Sequence, residues 1–481
     1  MERIVTAREA KSKDMQAMAS GIPSLELMQT AAQGLANAVR TLLSEGDTVT
    51  AICGTGNNGG DGVCAAWLLK RAGVDARIVL IGDETKCTPD TAHYLNAAKR
   101  DGVPVVSAWE PNEHEVLIDA LFGVGLTRPV EGVYRAVIEQ MNASGKPIVS
   151  ADLPSGLDAD SGRVRGAAVK ATATVTMQSQ KAGMLLGHGR ALCGTVTVQP
   201  LFADDSEPDL FFDDEADIAA LLPKRPFDSH KGSNGHALLC VGSATYPGAA
   251  LLCSRAALRG GAGLLSVCIP DPVRPYFRAL PEAITVPTGT EDWGMEAADV
   301  AVRAMQKKQA IGIGCGVGAG DITGIIEAAL RSSVPTVLDA DALNQLVRRR
   351  ELFRLLHENV ILTPHVGEMA RLLNTTVDEV LNDPLGAVSQ FPCTVLLKGA
   401  TTLVHANGRT AFLTFGNPGL AKGGSGDVLT GLITALLAQG LKPFDAARAG
   451  TYLLGTSADR AMRLLNERML LASDVIDMIQ Y

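Results

Sequence analysis

Two glycine-rich segments of the 481-residue chain carry acidic or amide side chains at spacings suited to chemistry. The first, GTGNNGGDG, occupies residues 54–62. Glycine turns sharply and has no Cβ to block a ligand, and N–H groups opening a following helix attract an anion. Its first six residues match G-x-G-x-x-G, with Asp83 and Glu84 where a ribose-binding acid would sit. A pyrophosphate-bearing dinucleotide is one reading of this turn; a ligand-free strand–helix turn is the other. Asn57 and Asn58 add amide carbonyls able to ligate a hard cation or a hydroxyl-rich substrate. The second segment, GNPGLAKGGSGDVLTG (416–431), places Asp427 in the first turn of a long apolar helix. A helix cap would account for the carboxylate alone. Three glycines in four residues, however, cost ordering entropy that a cap does not require. Such a turn lets backbone amides surround a transferring phosphoryl group, with Asp427 as the base toward an acceptor hydroxyl.

Further polar residues sit at the ends of apolar runs. Asp119 precedes GVGLTRP (123–129), which carries Arg128, and DLPSGLD (152–158) supplies Asp152 and Ser155. Each carboxylate alone is as easily a cap or turn residue. Loops leaving the carboxyl ends of parallel strands build one crevice, however, so these segments are expected to converge. Asp152 is the candidate acid–base there, because a carboxylate at a strand exit can be both desolvated and aimed. In the second half His365 stands in TPHVGE, Asp339 and Asp341 in VLDADAL, and Lys398 at a strand exit. The two aspartates orient a metal or water, or cap a helix; Lys398 meets phosphates, or solvent.

The elements that must position these groups alternate along the chain. Short apolar runs at 48–53, 76–82, 115–123 and 146–154 are joined by helical periods such as 24–43 and 63–73. The same grammar returns at 236–242, 263–270, 309–314, 334–343, 359–364 and 394–399, with a helical run from 426 to 440. Strands without in–out alternation, linked by helices, indicate parallel sheets covered on both faces. The expected fold is α/β, with two tandem three-layer domains. Between them, residues 204–217 (DDSEPDLFFDDEAD) hold eight acidic side chains in fourteen, a density that resists core packing. The expected boundaries are 1–205, an acidic linker at 206–224, and 225–481; an acidic surface loop is the alternative.

Composition narrows the function class. Aromatics are only 4% and the net charge is −9, the wrong sign for a nucleic-acid or anionic-membrane binder. Nine cysteines without a C-x-x-C spacing suit reduced core thiols. No run is apolar enough to span a bilayer, and the opening residues lack an apolar signal core. A cytoplasmic enzyme without nucleic-acid or membrane partners is expected.

LMQTAA, GTGNNGGDG, DALFGVGLTRP and DLPSGLDADSG, in this order, resemble the NAD(P)H-hydrate epimerase (YjeF amino-terminal) family, with a Rossmann-like fold. The resemblance implies that Asn57, Asn58, Gly59, Gly60 and Asp61 hold the hydrated dinucleotide. It extends this role to Gly123, Val124, Gly125, Leu126, Thr127, Arg128 and Pro129, together with Asp152. It also implies a potassium ion at Asn58, Asp119 and Ser155. Ala32 departs from the family, where glycine is commoner. The second half, through SHKGSNGHALLCVGS, GIGCGVG, VLDADAL, TPHVGEMARLL, LLKGATT and the glycine turn, resembles ribokinase-like ADP/ATP-dependent NAD(P)H-hydrate dehydratases. This implies that Ala249, Gly318, His365 and Asp427 contact the S hydrate. Lys398, Gly399, Ala400, Thr401 and Thr402 would hold the adenine nucleotide. So would Asn417, Pro418, Gly419, Leu420 and Ala421, continuing into Lys422, Gly423, Gly424, Ser425 and Gly426. Departures are Val241 for glycine, Cys315 for proline and Val366 for proline. The expected small-molecule partners are NADHX, NADPHX and ADP, with magnesium ion beside the nucleotide, in a homo-oligomer. A ribokinase-type small-molecule kinase fused to a dinucleotide-binding module is the alternative.

Overall fold

A computed structural model describes residues 1–481, which form two compact units. One comprises Arg3–Pro208; the other holds Met1–Glu2 and Asp209–Tyr481. No helix is long and apolar enough to cross a membrane.

In the unit at 3–208, the Thr48–Cys53 strand lies between Ala76–Leu80 on one side and Glu115–Ala120 on the other, all parallel. Val105–Val106 extends the first side. Ile148–Ala151, Ala173–Met177 and Thr195–Gln199 extend the second. The chain therefore reverses its direction of sheet growth between Thr48–Cys53 and Glu115–Ala120. A crevice opens at such a switch point, outside the strand carboxyl ends. Every residue of Glu115–Ala120 is buried, so both faces of that strand are covered.

The helix after Thr48–Cys53 begins at Asn57, not near residue 63 as the apolar period suggested, and runs to Arg71. Most of the glycine-rich segment is thus helix, and only Gly54–Gly56 form the turn. The helical glycines serve close packing. A Cβ on Gly59 would lie 1.9 Å from the Gly54 carbonyl oxygen, and one on Gly62 2.4 Å from Ala120 Cβ. Gly56 faces open space.

In the second unit, His236–Cys240 and Ala310–Ile313 are central parallel neighbours. Leu264–Ile269 and Ile284–Pro287 continue one side. Thr336–Leu338, Val360–Leu362 and Thr394–Leu397 continue the other. Thr402–Ala406 and Arg409–Leu413 then add an antiparallel hairpin. The apolar helices Pro247–Arg259, Ser425–Ala438 and Pro443–Ala461 pack into one core with these strands.

The acidic segment departs from expectation. Residues 206–224 include the strand Leu210–Phe212, which pairs in parallel with Arg409–Leu413, and the short helix Glu215–Ala219. Phe211 is fully buried, with the guanidinium groups of Arg409 and Arg448 over its ring. Asp213 makes a bidentate pair with Arg448 at 2.6 and 2.7 Å, and Asp214 caps the helix. The charges pack because an arginine and a helix N-terminus meet them.

Candidate active sites

The crevice of the first unit is a cavity of about 690 Å³. Asn57, Asn58, Asp61, Asp152 and the loop from Gly123 to Arg128 line it. Gly59 and Gly60 are buried in the helix beneath, and Pro129 lies outside the lining. Asp83 is also outside it, accepting hydrogen bonds from the N–H and hydroxyl of Thr85.

Asp119 and Ser155 are fully buried and lie outside the cavity lining. Ser150 Oγ and the Ser155 N–H donate to Asp119 Oδ2 at 2.7 and 2.8 Å. Ser155 Oγ in turn accepts from the Phe122 N–H at 2.9 Å. Burial raises the Asp119 carboxyl above its ordinary range although these bonds oppose the shift. Asn58 Nδ2 is buried with no hydrogen-bond partner. Orphaned polar atoms of this kind are rare in folded interiors and mark places where a ligand completes the site.

Asp152 leaves its strand at φ 66°, in the left-handed region that an aspartate adopts at a cost. Its Oδ1 forms a close ion pair with Lys181, and accepts from the Met177 N–H at 3.2 Å. Lys181 is 2% exposed, and its ammonium also donates to Thr176 Oγ1 and the Met177 carbonyl at 3.0 and 2.9 Å. Asp14, on the Ala7–Ala19 helix, lines the same cavity. Burial, then the charges of Asp152 and Asp14, push the Asp61 carboxyl well above the usual range, against Lys181. Burial likewise raises Asp14. Neither Lys181 nor Asp14 stands in a glycine-rich segment. The available signal was one lysine at the end of the strand-like TVTMQSQK run.

In the second unit, groups from four strand exits meet the glycine turn. Asp339 is the hub. Its Oδ1 accepts from Lys398 Nζ at 2.8 Å and its Oδ2 from Thr430 Oγ1 at 2.9 Å. Burial alone would lower the Lys398 ammonium, but Asp339 and Glu368 raise it above its ordinary value. A Cβ on Gly426 would lie 3.4 Å from Asp339 Oδ2, so the turn and this pair are adjacent. Asp427 is pushed up to about 6, first by burial and then by Asp339; Cys315 and Lys398 pull the other way.

His365 caps the Val366–Leu373 helix: its Nδ1 accepts from the N–H groups of Gly367 and Glu368 at 3.0 and 3.3 Å. Glu368, which lay inside a motif without being singled out, lies 3.8 Å from Lys398. Asp341 is a cap-like acceptor for the Gly318 N–H at 2.7 Å. Ala249 borders Gly316, and Gly318 faces Tyr246. Gly399 and Thr402 close a turn after Lys398, with Ala400 and Thr401 between them. Asn417 caps the Pro418–Leu420 turn and donates to Asp459 at 2.8 Å, a partner the sequence did not reveal. Leu420 packs on the core. Lys422 is committed to the carbonyls of Arg468 and Leu470 at 2.5 and 2.8 Å. Gly423 faces open space, whereas Gly424 begins the Ser425–Ala438 helix at φ 98°.

Residues 24–183 match the family described as YjeF-related protein N-terminus, and residues 237–481 match NAD(P)H-hydrate dehydratase. The bifunctional NAD(P)H-hydrate repair enzyme Nnr of Coxiella burnetii is 34% identical, over 97% of this chain and 96% of that protein. The chain belongs to the bifunctional NAD(P)H-hydrate repair enzyme family. The Escherichia coli repair enzyme Nnr is 33% identical, with 96% of this chain and 90% of its own length covered. Among solved structures, the ADP/ATP-dependent NAD(P)H-hydrate dehydratase of Bacillus subtilis, co-crystallized with ATP/Mg2+, is 31% identical. That likeness has a TM-score of 0.48 and covers 56% of this chain and 95% of that one.

Proposed function

We propose that this chain repairs hydrated NADH and NADPH through two activities on one compound. The amino-terminal half interconverts the R and S hydrates. The carboxy-terminal half returns the S hydrate to NAD(P)H, with ADP as co-substrate giving AMP and phosphate. In a member of this repair family, the observation that carries the assignment is Asp427: a carboxyl raised to about 6 beside a glycine turn and the Lys398–Asp339 pair.

Hydroxide is a poor leaving group from C6 of the hydrate. Asp427 takes the C6 hydroxyl proton while the oxygen attacks the terminal phosphoryl group. The amides of Gly423–Gly426 offset charge on that group, and Lys398 supplies a fixed cation. The lone pair of the ring nitrogen then expels phosphate, and loss of a C5 proton from the resulting iminium forms the C5=C6 bond of NAD(P)H. Magnesium bound with the nucleotide would supply further charge neutralisation. His365 and Gly318 border the hydrate, and residues 398–402 and 417–426 border the nucleotide. In the first half, the segment 57–61, the loop 123–129 and Asp152 hold the dinucleotide.

Asn58, Asp119 and Ser155 fit a potassium ion in kind. They offer hard oxygen donors, and the buried Asp119 has no side-chain cation against it. Bound there, potassium would neutralise that carboxylate.

Purified chain given S-NADHX and ADP should regain the 340 nm absorbance of NADH. R-NADHX should follow only as fast as the first half epimerises it. Turnover of neither hydrate would overturn the assignment, and consumption of ADP on an unrelated alcohol would favour the kinase alternative.

A further inference from the structure

The carboxyl groups of Asp14, Asp61, Asp90 and Asp152 line the cavity of the first unit, with the ammonium groups of Lys11, Lys13 and Lys181 and the guanidinium of Arg128. Asp14 comes from the Ala7–Ala19 helix, Asp61 from the Asn57–Arg71 helix, Asp152 from a strand exit, and Lys181 from the Gln180–Lys181 strand. The two oxygens of Asp152 are not equivalent. Oδ1 takes Lys181, the Met177 N–H and the Thr176 hydroxyl. Oδ2 accepts no hydrogen bond; it lies 3.3 Å from where a Gly123 Cβ would stand, next to Asn58 Oδ1 at 2.9 Å from the same point. The ammonium of Lys181 has three donors, and Asp152, Thr176 and Met177 use all of them. This lysine therefore has no donor left for a substrate. Its geometry serves to pin one oxygen of Asp152 and leave the other free.

Resting on the epimerase reading above, we propose that Asp152 Oδ2 and the Asp61 carboxyl are the base and acid that open and reclose the hydrated ring. Lys181 is the positioning residue that selects the oxygen. The proton of the C6 hydroxyl passes to Asp152, and the electron pair of that O–H bond becomes the second bond of an aldehyde. The C6–N1 bond breaks, its electrons pass to N1, and N1 takes the proton of Asp61. Rotation about C5–C6 presents the other face of the aldehyde. The same steps in reverse close the ring and return both protons, so no oxidant, reductant or nucleotide is consumed. One buried ammonium balances one carboxylate, and like charges crowded beside it favour a protonated neighbour. Asp61 shares the cavity with Asp152, Asp14 and Lys181, and their charges act on it. Of the cavity's other cations, Lys13 is paired with Asp204, and Lys11 and Arg128 are exposed to solvent.

The test follows interconversion of purified R and S hydrates by the full chain, without nucleotide. Asp61→Asn and Asp152→Asn should each lower kcat at least hundredfold with KM within threefold. The double variant should be no more than tenfold worse than the worse single, because groups acting as one unit are not additive. Lys181→Met should match Asp152→Asn, and Lys181→Arg should recover at least tenfold over it. Should Lys181→Met fail to fold, Lys181→Arg and Asp61→Asn carry the test. An Asp61→Asn rate within fivefold of the parent overturns the proposal, as does a double variant equal to the product of the singles. A parent chain that never interconverts the hydrates, yet dehydrates the S form, overturns the epimerase reading itself.

Discussion

Asp427 is a side chain whose burial costs stability. Its carboxyl titrates at about 6, well above the 3.8 of an exposed aspartate. On the proposed mechanism the base form is required, so dehydration should fall about tenfold per pH unit below that point and level off above it. A pH–rate profile with saturating S hydrate and ADP checks this. Asp427→Asn should lower kcat by about 10²–10⁴-fold. The same substitution should stabilise the fold. A folded-state value raised above the unfolded one means stability that is present below pH 3.8 and lost as pH rises through about 6. The variant should therefore exceed the parent by on the order of 2 kcal/mol at pH 7, and the gap should close near pH 4. Thermal melts at both pH values read the difference. Asp427 was legible in the sequence because its glycine turn is contiguous. Lys181 and Asp14 were not, since they enter the cavity from elements with no motif, and only the sheet brings them to Asp152.

Helices and turns explain the glycines better than the ligand does. At Gly59 a Cβ meets the Gly54 backbone at 1.9 Å, so Gly59→Ala should cost roughly 3 kcal/mol in urea unfolding of the 3–208 unit. Gly56, at φ −84°, faces open space, so Gly56→Ala should stay within about 1 kcal/mol while narrowing the cavity. The helix opening at Val366 offers the opposite change. His365 has φ −79° and ψ 171°, a backbone that tolerates a following proline, and the first helical N–H needs no partner within the helix. Val366→Pro should raise stability by about 0.5–1 kcal/mol, measured by denaturant midpoint. The parallel strands were legible at this scale, because fully buried ones read as continuous apolar runs. The Asn57 helix start was not: Asn-Asn-Gly-Gly is a poor helix by propensity, and tight packing on the sheet overrides it.

At the scale of the whole molecule, the acidic segment decides where the carboxy-terminal half begins. Charge density alone suggested chain that avoids a core, yet Phe211 is buried and Asp213 meets Arg448. The arginine that accepts this segment stands more than two hundred residues away, beyond the reach of any local pattern. A fragment of residues 209–481 should fold and dehydrate the S hydrate. One of residues 225–481 leaves Arg448 buried without Asp213 and should lose about 3–5 kcal/mol, seen as a lower melting temperature.

That shorter piece would suffer in a second way. Leu210–Phe212 runs along Arg409–Leu413, and without it the hairpin would present bare N–H and C=O groups to any passing chain. Three residues thus sheathe the hairpin's outer strand, and trimming them would leave that strand a template for intermolecular strand addition.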